Sequence, residues 1–116
     1  AEMSVYVKQN ARRMGVGRML YDAMEAILRM QRLTNVEACI AVPSAPDAHL
    51  TMDSVRFHEK MGYRMVGTFH QCGYKFDTWY DMVWMEKHIG EHTHPQPPVL
   101  RFDEIREEAL RQLKPR

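Results

Sequence analysis

Arg12-Arg13-Met14-Gly15-Val16-Gly17-Arg18 lies between the strand-like Ser4-Val5-Tyr6-Val7 and a long stretch with helical spacing, and its reading decides the fold. It places two glycines and three arginines where a strand hands over to a helix. The first turn of a helix carries backbone N–H groups with no partner inside the helix, together with a partial positive charge. Glycines let that backbone approach a bulky anion, and arginines add charge and forked donors. A phosphate or pyrophosphate suits this arrangement, which points to a nucleotide-like cofactor. A Gly-Lys-Ser/Thr phosphate loop is excluded, because Arg18-Met19 follows Gly17. The dinucleotide-binding turn needs a further glycine where Leu20 stands. What remains is Arg-x-x-Gly-x-Gly between strand and helix. A glycine-rich turn edged by solvated arginines is the alternative description of the same residues.

Working outward, residues 4–7 read as a short buried strand and residues 16–32 as a helix. Val16, Leu20, Ala23, Met24, Ile27, Leu28 and Met30 recur at helical spacing and are the expected core face. Arg18/Asp22 and Glu25/Arg29 stand four apart and are expected on the solvent face. Residues 36–42 read as a second buried strand, parallel to the first through a right-handed crossover. Pro43 and Pro46 mark a loop. Thr51 or Asp53 then caps a short helix reaching Met61 and closed by Gly62. Residues 63–69 and 79–87 read as an antiparallel pair joined by a loop containing Gly73. The second of these is apolar on both faces and belongs inside the sheet. His94-Pro95-Gln96-Pro97-Pro98 is a stiff linker, and Phe102, Ile105, Ala109 and Leu113 form a stripe on a terminal helix. The expected organisation is one domain over 1–90, with the linker and short helix over 91–116.

Composition bounds the class. The 116 residues are 45% hydrophobic, enough for a globular core, and the formal net charge of +1 gives no electrostatic case for nucleic acid or an anionic membrane. No apolar run approaches a membrane span, and the opening residues carry no signal-peptide pattern. Cys39 and Cys72 form no Cys-x-x-Cys motif, so free thiols in a reducing cytoplasm are expected. The ten methionines read as adaptable core packing. His88, His92 and His94 have metal-like spacing but sit in a proline-containing tail without acidic or cysteine partners, so no metal is expected.

Three segments, in order, carry a resemblance. The turn at 12–18 is similar to the acetyl-CoA pyrophosphate loop of the GCN5-related N-acetyltransferases. Ser54-Val55-Arg56-Phe57-His58-Glu59-Lys60-Met61-Gly62-Tyr63 resembles that family's later helix, which ends in Gly-Phe or Gly-Tyr before a strand. Gly73-Tyr74-Lys75-Phe76 followed by Trp79-Tyr80-Asp81-Met82-Val83-Trp84 is similar to the ending of the phosphinothricin acetyltransferase branch. The likeness runs from about Glu2 to Lys87. It implies an α+β fold, the β-α-β-α-β-β C-terminal portion of the acyl-CoA N-acyltransferase fold with a mixed sheet. The chain then corresponds to the C-terminal half of such an enzyme, since the family places a comparable length of chain before the cofactor turn.

The resemblance also implies roles. Acetyl-CoA, or CoA, is the expected co-substrate. Arg12, Arg13, Met14, Gly15, Val16, Gly17 and Arg18 would hold its pyrophosphate, and Val5, Tyr6 and Val7 would lie along its pantetheine arm. Transfer to an amine requires removal of a proton, stabilisation of the thioester oxygen and protonation of the departing thiolate. Glu2 directly precedes the strand at the register of a catalytic glutamate in the phosphinothricin branch; the alternative is an ordinary surface carboxylate. His58 stands where family members place a proton donor for the CoA sulfur, and imidazole titrates near neutrality. Thr51, Ser54 or Val55, and His58 share a helix face by spacing, with Phe57 and Met61 expected on the core side. The branch's usual asparagine near this helix start is not plainly present, and Thr51 or Asp53 occupies the region after a loop insertion; Thr51 and Ser54 are the candidate cofactor contacts here. Tyr74, Lys75 and Trp79 read either as acceptor-pocket lining or as core. The expected function is acetyl transfer to a primary amine of a small molecule, an amino acid or its analogue, by a homo-oligomer. The competing readings are a CoA-binding fragment without turnover and a structural self-associating domain.

Overall fold

The computed structural model describes residues 1–2, 15–43 and 53–113. Its elements run α1 (Val16–Met30), β1 (Asn35–Pro43), α2 (Asp53–Lys60), β2 (Arg64–Lys75), β3 (Thr78–His88) and α3 (Phe102–Gln112). They fall into two compact units, Ala1–Ser4 with Val36–Lys87 and Val5–Asn35 with His88–Arg116. The combination of helices with a three-stranded sheet is α+β. The expected strand at 4–7 and the proline loop beyond Pro43 lie outside the described residues.

In the first unit the strand order is β1-β3-β2, so β3 is central, as its two apolar faces require. Val36, Ala38, Ile40 and Val42 alternate along β1 as its buried face, and Tyr80, Val83 and Met85 are buried on β3. β2 pairs antiparallel with β3, whereas Glu2 makes a parallel bridge to Glu37. Both pairing senses therefore occur. The hairpin differs from the expected loop around Gly73. Gly73 sits in the ladder opposite Tyr80, and pairing continues to Lys75 opposite Thr78. The reversal is made by Phe76 and Asp77 at φ 53° and 55°, two left-handed residues whose twist suits a tight hairpin. An irregularity between Phe69 and Gly73 carries the strand past its expected end. There Gln71 adopts φ 49°, and its N–H donates to Asp81 Oδ1 at 2.8 Å. Asp81 Oδ2 also lies 3.3 Å from His70 Nδ1.

α2 ends where Gly62 takes φ 96°, the conformation glycine adopts at least cost. The Gly62 and Tyr63 N–H groups donate to the Glu59 and His58 carbonyls at 3.0 and 2.9 Å. The buried stripe on α2 and the residue after it is Val55, His58 and Met61. This corrects the expected face assignment: His58 joins the core, Ser54 is exposed and Phe57 is half-buried. Spacings of three residues place all three buried groups on one side.

In the second unit α1 packs against α3. Tyr21 and Glu25, four residues apart, form the buried line of α1, while the expected core residues Leu20 and Met24 are 40% and 37% exposed. The Glu25/Arg29 pair, expected in solvent, is half-buried: Glu25 is 1% exposed and bonds Arg29 at 3.5 Å. A carboxylate can occupy such a site because the guanidinium neutralises it. Arg18/Asp22 does lie in solvent, at 4.0 Å. The helix stops at Met30 rather than Arg32, because Arg32 turns left-handed at φ 68° and Leu33 N–H closes back on the Leu28 carbonyl at 3.0 Å. The segment after β3 runs along this end: Arg29 Nε donates to the Ile89 carbonyl at 3.1 Å, and Leu100 N–H donates to the Gln31 carbonyl at 2.9 Å. At the start of α3, Glu104 accepts from Arg101 N–H at 2.7 Å, and Ile105 and Ala109 are buried. Phe102 and Leu113, the ends of the expected stripe, are exposed.

Candidate active site

The start of α1 combines a glycine cap with a first turn free of acidic residues. Gly15 is its N-cap, left-handed at φ 79° and ψ 4°, with no side-chain cap hydrogen bond and no acidic residue in the first turn. An L side chain at that φ is strained, which is why glycine stands there. A Cβ built on Gly15 meets nothing within 4 Å, so the turn presents bare backbone to open space. Val16, Gly17 and Arg18 form the first turn, with Arg18 exposed. An uncapped first turn, a bare glycine and a cation fit a pyrophosphate, and therefore fit CoA. Val5, Tyr6, Val7, Arg12, Arg13, Met14 and Thr51, named with them from the sequence, lie outside the described residues.

In the first unit Glu2 is held at the edge of β1. Glu37 N–H donates to the Ala1 carbonyl at 2.6 Å, and the N-terminal ammonium lies 3.3 Å from Glu37 Oε2. Glu2 is exposed, and its charge reaches Cys39. Burial first, then Glu2 and Cys72, push the Cys39 thiol above its ordinary range. That charge around Cys39 was not legible in the sequence, because Glu2 and Cys72 are brought to it only by the fold. Neither thiol is in a disulfide.

His58 is 4% exposed. Its Nδ1 lies 2.7 Å from the Ser54 carbonyl, one helical turn back. A carbonyl only accepts, so Nδ1 carries the proton and Nε2 is the basic atom of the ring. Burial pulls the imidazole below its ordinary value, with the Ser54 hydrogen bond opposing. Phe57 and Tyr63 meet the ring edge-on, at centroid distances of 5.4 and 5.3 Å. Ser54, an expected cofactor contact, is exposed on α2 and also gives its backbone carbonyl to His58.

The remaining polar clusters are engaged otherwise. The His88 and His92 rings stack edge-on at 4.8 Å, and His92 Nε2 lies 2.6 Å from Asn35 Oδ1. Among the described residues no group of three His, Cys, Asp or Glu side chains is placed to hold a metal ion. Tyr74 and Trp79 pack ring to ring at 5.0 Å and are more than half and half exposed, so they are surface rather than core. An open cleft of about 230 Å³ in the second unit is lined by Arg29, Arg32, Thr34, Glu91, Thr93 and Gln96 and contains none of the expected residues. No described helix is long and apolar enough to cross a membrane.

Comparison with known proteins identifies the family of the chain. Residues 1–84 match the family model of the acetyltransferase (GNAT) domain. The phosphinothricin N-acetyltransferase of Streptomyces viridochromogenes is 32% identical over 96 residues, covering 83% of this chain and 49% of that protein. The L-methionine sulfoximine/L-methionine sulfone acetyltransferase of Pseudomonas paraeruginosa is 31% identical over 88 residues, covering 76% and 47%. Among solved structures, yncA of Salmonella typhimurium with its cofactor acetyl-CoA superimposes with a TM-score of 0.67 at 28% identity, covering 79% and 49%. The chain spans about half the length of each of these relatives.

Proposed function

The chain belongs to the GNAT acetyltransferase family, and from that premise we propose that it forms the acetyl-CoA-binding portion of an N-acetyltransferase whose acceptor is the primary amine of a small molecule, an amino acid or close analogue. The observation that carries the reading is the α1 N-terminus, uncapped, without acidic residues and opened by a left-handed glycine. Gly15, Val16, Gly17 and Arg18, with Arg12, Arg13 and Met14, hold the pyrophosphate; Val5, Tyr6 and Val7 serve the pantetheine arm, and Thr51, ahead of α2 in the sequence, and Ser54 on α2 are further cofactor contacts. Acetyl-CoA, when bound, supplies the activated acetyl thioester.

The chain's own residues then move protons. An ammonium group is a poor nucleophile at neutral pH, so a carboxylate near the acceptor that takes its proton raises the reactive fraction. Glu2 fills that role: it is exposed at the sheet edge, able to reach an incoming amine directly or through one water. His58 serves the other side of the reaction, as the relay that delivers a proton to the departing sulfur. Kept neutral by burial and protonated on Nδ1, it works through Nε2. Two of the relatives are named for acting on phosphinothricin and on methionine sulfoximine or sulfone, which supports an amino-acid-like acceptor.

The separate free thiols favour a reducing cytoplasm. Self-association belongs to the same proposal: β2 is exposed along nearly its whole length, and Val66, Phe69 and Tyr74 on it are each more than half exposed. Release of free CoA thiol from acetyl-CoA, followed with a panel of amines that includes phosphinothricin, methionine sulfoximine and a simple alkylamine, tests the function. The account expects turnover with the amino-acid analogues above the alkylamine. CoA binding with no turnover on any amine would leave a binding fragment, and absence of binding would leave a structural domain.

A further inference from the structure

Among the described residues, His58 is the one histidine that the fold buries. Three contacts with described residues of the first unit hold its imidazole. Nδ1 donates to the Ser54 carbonyl at 2.7 Å. The Phe57 ring stands against it at an interplanar angle of 87°, and the Tyr63 ring stands against it at 85°. Tyr63 is itself immobilised: it is 3% exposed, and its N–H donates to the His58 carbonyl at 2.9 Å. Lys87 Nζ on β3 lies 5.8 Å from the Tyr63 ring centroid. The aromatic therefore meets an ammonium as well as the imidazole. Glu59 and Lys60 on α2 are exposed.

We infer that Tyr63 and Phe57 are positioning residues, whose edge-on contacts confine the His58 ring to the orientation in which Nδ1 bonds Ser54 and Nε2 is the basic atom. The inference rests on the reading of His58 as a proton relay, but the clamp is a property of the ring's own geometry. A histidine on a helix can reach the carbonyl one turn back in only a narrow range of side-chain torsions. The hydrogen bond selects the tautomer, and the two rings hold the torsion that makes the bond. Without them the imidazole turns away from Ser54, water enters, and the proton redistributes between the two nitrogens. A relay needs its basic atom in one place through every turnover, so the clamp sets how often the ring is competent.

The test is ¹⁵N NMR of the imidazole nitrogens in the full chain. In the unaltered protein above neutral pH, Nδ1 of His58 is expected at the shift of a protonated pyrrole-type nitrogen and Nε2 at that of an unprotonated pyridine-type nitrogen. Tyr63→Phe keeps the ring and should preserve this pattern. Tyr63→Leu should average the two shifts, and the ring should titrate nearer to a solvated imidazole. Phe57 is only half-buried, so Phe57→Leu makes the same test if Tyr63→Leu fails to fold. A proton on Nε2 in the unaltered protein, or an unaveraged pattern in both leucine variants, overturns the inference. Turnover of His58→Ala decides the relay reading separately. Unchanged turnover alongside the expected NMR behaviour would remove the relay and leave the clamp standing.

Discussion

Replacing Gly15 separates the two demands placed on the cofactor turn. The residue sits at φ 79° and ψ 4°, where an L side chain costs about 1–2 kcal/mol. Nothing lies within 4 Å of an added Cβ, so Gly15→Ala incurs the backbone term alone and no packing clash. A loss of about 1–2 kcal/mol in a domain of this size lowers the melting temperature by roughly 3–10 °C. Gly15→Asn recovers most of that stability, because asparagine tolerates the left-handed region and is a favoured N-cap. Cofactor binding follows a different rule. The open space beside Gly15 is where a phosphate oxygen must come to meet the first-turn amides, so side-chain atoms there obstruct it whatever their strain. Both variants should lose at least about tenfold in CoA affinity, or 1.4 kcal/mol. Thermal melts paired with isothermal calorimetry read the two quantities. A folded Gly15→Asn variant that binds CoA as tightly as the parent would refute the cradle, even if Gly15→Ala proved less stable as expected.

Proton-transfer roles predict a kinetic defect: Glu2→Gln or His58→Ala should lower kcat about 10²-fold with CoA affinity nearly intact, and wild-type turnover in both across the pH range would exclude them. His58 also writes a signature on stability. Because its folded value is depressed below the ordinary 6.5, its contribution is complete above that pH. It is lost as the pH falls from 6.5 through the folded value, since the unfolded chain takes up the proton first. Urea titrations of the parent and His58→Gln between pH 7.5 and about 5 should diverge from parallel only on the acid side. Gly62→Ala should cost about 1–2 kcal/mol from its φ of 96°, because the nearest atom to a new Cβ is the flexible Lys87 side chain at 3.4 Å. Light scattering should report self-association of the chain that weakens in Phe69→Lys; a concentration-independent monomer would rule out β2 as a contact.

The sequence exposed what backbone chemistry encodes locally. Gly62 announced the helix stop and takes φ 96° there, and the glycine-rich turn announced a helix start, where Gly15 is the left-handed N-cap. The doubly apolar run around Met82 and Trp84 announced a central strand, and β3 is central. Features that depend on pairing were hidden. Helical spacing in α1 fits a stripe through Leu20 and Met24 as well as one through Tyr21 and Glu25. The second is buried, with the Glu25 carboxylate paired to Arg29 at 3.5 Å, a pairing that hydrophobicity alone does not register. Gly73 resembled a turn residue, but Phe76 and Asp77 make the reversal, and neither stands out as a turn former beside a glycine. His58 was legible as a candidate. Its burial between Phe57 and Tyr63 was not, because which side of a short helix faces a sheet is set by the sheet.

The central claim is that the start of α1 receives the pyrophosphate of CoA. Titrating CoA into the ¹⁵N-labelled chain and following its backbone amides addresses that claim without relying on turnover. The account predicts that the largest shift changes fall on Gly15, Val16, Gly17 and Arg18, and that adenosine lacking the pyrophosphate fails to reproduce them. Saturable CoA binding that leaves those four amides unmoved, or equal shifts with adenosine alone, would contradict it.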